Sequence, residues 1–284
     1  ATGIHDIVGG GGVFMNVKAN MLIGEMDEVN SFYIMPSAAD ESLSIGACLR
    51  QHYIMTEEPA NEASVLEDLY LGGGYDKAAE ETAIVEARAT GLAIEVAGLD
   101  GAEVDRRTAE LLANGAIVAR CRGRMEWGAR SLGNRSILAD ATDYRVVTRI
   151  NNAIKQRDFW MPFAPSVLDK AADRYFDNPK DLCAWYMVYG FRCKPQGYPD
   201  LEAASHPRDH TIRPQLVTES ANPSYHGVLS DFEARTGRGG FLNTSFNLHG
   251  FPIVHTPADA IDVLARSDID YLALDNHLIS KISA

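Results

Sequence analysis

The sequence predicts an α/β protein, and three features carry that reading. A short apolar segment, Ile4 to Val8, runs into the glycine-rich turn Gly9 to Gly12 as a strand would. A helical stretch, Val104 to Asn114, is closed by Gly115 and succeeded by the short apolar strand Ala116 to Ala119. Both kinds of element recur on either side of Thr56 to Glu62, which is polar, contains Pro59 and has no hydrophobic period.

The elements follow in order. After the glycine turn, a helix begun near Asp40 includes Gly46 to Tyr53, and Thr56 to Glu62 is the expected linker. Gly72 to Gly74 reads as a loop and Lys77 to Thr90 as an amphipathic helix. Val146, Ile150, Ala153 and Ile154 fall on one face of a further helix. Asp209, Thr211, Arg213 and Gln215 alternate, so one strand would present all four on a single face. Asn222-Pro223 opens a helix that carries Leu229 and Phe232 and stops at Gly237. Gly240 to Asn247 is a strand ending in small polar residues, and Thr256-Pro257-Ala258-Asp259 is a strong helix start.

At 284 residues, 46% hydrophobic and 23% charged, the chain is long enough for one large or two ordinary domains with real cores. No apolar run approaches the roughly 20 residues a membrane helix needs, and the start does not read as a signal peptide. Net charge is −13. That acidic balance argues against general nucleic-acid coating, which wants a broad basic face. Cys48, Cys121, Cys183 and Cys193 form no CxxC pair and read as reduced, mostly buried thiols of a cytoplasmic protein. The chain opens almost at once into a glycine turn, which reads as a stretch excised from something longer.

Against that acidic background stands a basic island. Between Arg120 and Arg157, nine Lys or Arg residues (120, 122, 124, 130, 135, 145, 149, 155, 157) face only three acids. Concentrated cations predict an anion, phosphate above all, since a planar guanidinium can hold two oxygens at once. A salt-bridged helix surface accounts for the charge count equally well. Downstream, Asn243-Thr244-Ser245-Phe246-Asn247 offers compact hydrogen-bond partners for a carbonyl, amide or phosphate, or else simply makes a turn. The Gly9 to Gly12 loop lets backbone amides approach a phosphate, but it is neither a Walker A loop nor a GxGxxG fingerprint. His206 and His210 have metal-ligand spacing, yet Pro207 between them disfavours the helix that a pair would need.

Taken together, these segments resemble the C-terminal half of an O-carbamoyltransferase of the nodulation and antibiotic-biosynthesis family. The resemblance lies in Gly11-Gly12-Val13-Phe14-Met15-Asn16, Asp40 to Ala47, Gly128-Ala129-Arg130-Ser131-Leu132-Gly133-Asn134-Arg135-Ser136, Arg157 to Ser166, and Asn243 to Val254. These blocks run through nearly the whole chain in order. The resemblance implies residues 1–60 as the tail of an actin or sugar-kinase-like carbamoyl-transfer domain, and residues 65–284 as a YrdC-like α/β domain.

The YrdC-like domain is expected to make carbamoyl-adenylate from carbamoyl phosphate and ATP with Mg2+. The kinase-like domain, holding a divalent metal such as iron in the full-length protein, would then pass the carbamoyl group to a hydroxyl-bearing acceptor. Carried over by position, Arg130, Lys155 and Arg213 hold phosphates and do the catalytic work. Asn243, Ser245, Arg135 and Arg157 surround the carbamoyl or adenylate group. Gly11, Gly12 and Asn16 belong to the nucleotide loop of the transfer domain, and Asp40 to its metal.

Two departures stand out. Met161 occupies a position where many relatives carry Arg, shifting any phosphate contact onto Arg157 or Arg149. No HxxxH metal segment precedes Gly9, so this stretch by itself is not expected to catalyse transfer, and an N-terminal domain is its expected partner. A nodulation lipo-chitooligosaccharide is the favoured acceptor. The alternatives are threonylcarbamoyl-adenylate synthesis for tRNA modification and a non-catalytic nucleotide-binding module.

Overall fold

A computed structural model describes residues 3–59, 66–155 and 161–282. Its centre is a mixed eight-stranded sheet. In chain order the strands of that sheet are β3 (Ile94–Gly98), β4 (Val118–Cys121), β5 (Arg135–Ala139), β6 (Ala164–Leu168), β9 (Gln215–Val217), β10 (Gly240–Ser245), β11 (Tyr271–Ala273) and β12 (His277–Lys281). They lie side by side as β3-β12-β11-β4-β5-β10-β6-β9. The pairs β11–β4 and β6–β9 are parallel and the remaining neighbours antiparallel.

Successive residues of the central strands point to opposite faces, and both faces are covered. Val118, Leu138, Phe241 and Ala273 pack with α4 (Gly101–Ala113) and α8 (Pro223–Thr236) through Val104, Leu112, Val228, Leu229 and Phe232. Ala119, Ile137, Leu242 and Leu272 pack on the other side with α3 (Lys77–Ala89) and α9 (Pro257–Ala265) through Ile84, Ala260, Ile261 and Leu264. Each such fully buried Leu or Phe contributes about 1.5–3 kcal/mol. β4, β5 and β6 are buried along their whole length, including Arg120, Arg135, Ser136 and Ser166, so they show no alternation of buried and exposed positions.

The helix ends obey local chemistry. Asn222 caps α8 by accepting from the Tyr225 amide at 3.0 Å, Pro223 sits in its first turn, and Gly237 ends it at φ 74°. Thr256 and Asp259 form a reciprocal capping box on α9, at 3.2 and 2.9 Å. Asp100 caps α4. These helices stand where the sequence places them.

Two expectations need correction. The strand expected through Asp209, Thr211, Arg213 and Gln215 is broken at Pro214, which has no N–H to give a ladder. Thr211–Ile212 forms β8, paired with β7 (Phe191–Arg192) in a small separate sheet, whereas Gln215 begins β9 in the large one. The basic-island helix is α5 (Arg145–Ile150), and it continues as one π-helical stretch, Asn151–Lys155. Of the expected linker, residues 60–62 lie outside the described residues, and Thr56 ends a helix.

Residues 3–59 form a parallel pair, β1 (Asp6–Gly9) and β2 (Ser31–Ile34), joined through α1 (Val17–Glu25) and followed by α2 (Leu43–Thr56). They are pinned to the larger body. Asn20 Nδ2 donates to the Val188 carbonyl at 2.8 Å, and Tyr189 Oη donates to the Phe32 carbonyl at 2.6 Å. The Phe32 and Tyr189 rings meet edge to face, 5.8 Å apart. Two short α-helices are α6 (Ala172–Tyr175) and α7 (Tyr198–Leu201).

Candidate active site

The site is built around the turn between β4 and β5. The Glu126 carboxylate, 6% exposed, accepts from the backbone amides of Leu132, Asn134 and Arg135 at 2.7, 2.8 and 3.2 Å. Folding the turn around one carboxylate satisfies donors that burial would otherwise orphan. Two glycines permit it. At Gly128, φ 103°, a Cβ would stand 2.6 Å from Ser37 Oγ; at Gly133, φ 115°, it would stand 2.4 Å from the Tyr225 ring. The turn thereby carries Arg130 to the edge of a cavity of about 700 Å3.

Five residues expected from the sequence converge on that cavity: Arg130, Lys155, Arg213, Asn243 and Ser245. They come from the β4–β5 turn, the π-helical stretch, the β8–β9 junction and β10. Lys155, 2% exposed, donates from Nζ to Ser245 Oγ at 3.0 Å and to Asn247 Oδ1 at 2.5 Å. Asn243 and Ser245 are two apart on β10 and so share a face. Cations from three separate segments beside neutral hydrogen-bonding groups make a site suited to a polyanion with a polar end.

The basic island therefore divides. Arg135 is fully buried, and its guanidinium donates to the carbonyls of His255, Arg122, Asn134 and Gly123 at 2.9–3.2 Å. Arg135, expected around the carbamoyl or adenylate group, does not line the cavity; four of its five N–H donors tie β4 and β5 to the segment before α9. Arg120 and Arg122 are buried likewise, on Asp105, Asp275, Ser224 and carbonyl oxygens. Arg149 donates to the Gly115 carbonyl, 3.0 Å away. Arg157 lies outside the described residues. Met161, the departure from the family pattern, lines the cavity, 48% exposed.

Some lining groups had no site role in the sequence reading, and Lys18 was not marked at all. Lys18, on α1, reaches the rim and pairs with Asp209 at 2.8 Å. Burial alone would raise the Asp209 carboxyl, but hydrogen bonds from Lys18 and Thr211 outweigh it and hold the group well below the usual carboxylate range. His206, His249 and Asn247 also line the cavity. Asn247 was signalled by its place in the polar strand end; nothing local marks Lys18, which reaches the site only because α1 docks there.

The residues expected at the transfer site lie elsewhere. Gly11 and Gly12 are exposed, and Asn16 caps α1 by accepting from the Ala19 amide at 3.1 Å. None of the three lines this cavity. Asp40 is exposed in a single 3-10 turn. Among the described residues no cluster of three or more His, Cys, Asp or Glu side chains is placed to hold a metal. A metal therefore does not fit Asp40 and its described surroundings. His206 and His210 are not on a helix; His210 stacks on Tyr198 with ring centres 4.1 Å apart.

The cysteines are free: Cys121 is buried, Cys183 and Cys193 are half-buried and Cys48 is exposed, so only one of the four is fully buried. Burial pushes the Cys121 thiol up to about 12. Among the described residues no helix is long and apolar enough to cross a membrane.

Comparison with known proteins places these features. The chain is 35% identical to the nodulation protein NolNO of Sinorhizobium fredii over 100% of its own length and 41% of that protein. It is 31% identical to the 3'-hydroxymethylcephem-O-carbamoyltransferase of Amycolatopsis lactamdurans, covering 88% of this chain and 44% of the relative. The chain thus spans less than half the length of these curated relatives. Among solved structures, E. coli YciO aligns with a TM-score of 0.44 at 15% identity, over 62% of this chain and 78% of that one. Residues 109–281 match the family model described as the carbamoyltransferase C-terminus, and they include Arg130, Lys155, Arg213, Asn243 and Ser245. The chain belongs to the carbamoyltransferase family, of which it carries the C-terminal domain.

Proposed function

We propose that this chain is the carbamoyl-activating part of an O-carbamoyltransferase, making carbamoyl-adenylate from carbamoyl phosphate and ATP with Mg2+. The observation that carries the reading is the meeting of Arg130, Lys155 and Arg213 with Asn243 and Ser245 in one cavity. In this reading residues 65–284 form the YrdC-like activating domain, and residues 1–60 the tail of the kinase-like transfer domain.

The chemistry suits such a site. Water cleaves the phosphate from carbamoyl phosphate, giving carbamate and inorganic phosphate. A carbamate oxygen then attacks the α-phosphorus of ATP, the bond to the β-phosphate bridge breaks, and pyrophosphate leaves. Little covalent help is needed. Both displacements gather negative charge on phosphoryl oxygens, which fixed cations stabilise without reorganising. Arg130 and Arg213 bind and orient phosphates, Lys155 neutralises the developing charge, and Asn243 and Ser245 hold the carbamoyl end.

The final acceptor is a hydroxyl, as the name of the cephem relative specifies for that protein. A nodulation lipo-chitooligosaccharide is the proposed acceptor, by analogy with the nodulation protein NolNO. Transfer itself is assigned to the remainder of a longer protein.

Isothermal titration of the folded chain with Mg-ATP and with carbamoyl phosphate tests the reading. Heat is expected from both, together with carbamoyl-phosphate-dependent exchange of pyrophosphate into ATP. Absence of heat from both ligands overturns it. Exchange that responds to threonine plus bicarbonate instead would move the assignment to threonylcarbamoyl-adenylate synthesis.

A further inference from the structure

Behind the cavity lies a chain of hydrogen bonds whose polarity is determined by groups that can act in only one way. Asn243, 1% exposed, directs its side-chain nitrogen at the Ser131 carbonyl (3.2 Å), Ser166 Oγ (3.0 Å) and Gln215 Oε1 (3.2 Å). Gln215, 3% exposed and outside the cavity lining, is held in turn: Nε2 donates to the Leu132 carbonyl at 2.7 Å. Its Oε1 is left to accept from the Ser166 hydroxyl at 2.9 Å and from Asn243. Tyr225 completes the chain by donating to Ser166 Oγ at 2.8 Å.

A carbonyl only accepts, so neither amide can be reversed without setting oxygen against oxygen. The consequence falls on Asn243 Oδ1, which is buried and has no partner among the described residues. Two residues along the same face, Ser245 gives its proton to Asn247 Oδ1 at 2.8 Å and receives one from Lys155. The hydroxyl therefore has only a lone pair left to offer. β10 thus presents two acceptors, one of them an orphan, on the wall that the proposed reading gives to the acyl end of the substrate. Leaving an acceptor unpaired is costly, so a ligand that donates to it gains over one that cannot.

We propose that Gln215 is a positioning residue that, together with the Ser131 carbonyl, holds the polarity of Asn243. Through it, the site selects an acyl phosphate ending in –NH2 over an equally charged one ending in –CH3. The two N–H bonds of a carbamoyl group match the two acceptors, whereas a methyl group leaves both unmet. This inference rests on carbamoyl activation being the reaction.

Carbamoyl phosphate and acetyl phosphate are the probes, because they share the phosphate and differ in the terminal group. Titration of the wild-type chain is expected to give a preference of roughly tenfold or more for carbamoyl phosphate. Gln215→Met keeps the length but removes one of the acceptors that hold Asn243, leaving the Ser131 carbonyl and the Ser166 hydroxyl to orient it, so the ratio falls toward one, mainly through weaker carbamoyl phosphate binding. A purely structural role would weaken both ligands alike.

Gln215→Glu supplies a second readout that does not depend on the Met variant folding. A protonated carboxyl donates to Leu132 and accepts from Asn243 as glutamine does. An ionised carboxylate accepts from Asn243 as well, so Q215E is expected to keep more of the preference than Q215M, a rescue by the acceptor that a purely structural role would not give. Equal binding of both probes to wild type overturns the selectivity and leaves carbamoyl activation standing. Absence of binding by both overturns that reading and this one with it. An unchanged ratio in Q215M, or a ratio in Q215E no better than in Q215M, removes Gln215 from the role.

Discussion

At the scale of single residues, neighbouring cations in one basic stretch have opposite duties, and substitution separates them. Arg135 is fully buried with four carbonyl partners, so Arg135→Ala strands several acceptors at once. Its loss is expected to cost about 3 kcal/mol or more, read as a lower urea midpoint with unchanged slope. Lys155 is as deeply placed but lines the cavity. Lys155→Ala is expected to lower carbamoyl-phosphate-dependent pyrophosphate exchange by at least about a hundredfold, the scale of removing one preorganised electrostatic contact. Unchanged exchange would remove Lys155 from the site. Charge counting could not tell these two apart, because the count is the same whether a guanidinium meets carbonyls or a ligand.

At the scale of elements, what was legible was what local chemistry decides. The ends of α8 and α9 follow from Asn222-Pro223, Gly237 and Thr256-Pro257, because a cap is satisfied within a few residues. The break at Pro214 was written in the same kind of signal and was overridden by an apparent alternation. Arg135, by contrast, has its partners on three segments, and Lys18 reaches the site through docking of α1, so neither could be placed from spacing.

Cavity residues in the polar end of β10 and at Arg130 and Lys155 were legible through family resemblance; the reason for their geometry was not. That reason includes the turn around Glu126, where Gly133 lies against Tyr225. Gly133→Ala would combine a left-handed φ with a clash against a fully buried ring. The expected cost is about 2–4 kcal/mol, measured as a fall in thermal midpoint, with weaker ligand binding at Arg130. Gly237→Ala, where φ is 74° but nothing lies near, should cost only about 1 kcal/mol.

At the scale of the whole molecule, the cavity belongs to both parts of the chain. Val17, Lys18 and Met21 of α1 face Arg213, Asn243 and the β4–β5 turn across it. The Lys18–Asp209 pair bridges the two at the rim, with side chains 47% and 38% exposed. An exposed pair contributes about 1 kcal/mol or less, so its value as a test lies in its pH signature. The Asp209 carboxyl is held below its ordinary range, and a depressed carboxylate binds its proton more weakly folded than unfolded. Its stabilisation is therefore fully present above the unfolded value of about 4 and is lost as pH falls below it. Asp209→Asn removes that component. The thermal midpoints of wild type and variant should differ at pH 5 to 7 and converge as pH is lowered from about 4 toward 2. The difference at neutral pH should also shrink with added salt, since exposed charges are screened. A gap that persists unchanged at low pH would mean that the Asn variant acts through packing or Thr211, and that the ion pair does not hold α1 against the cavity.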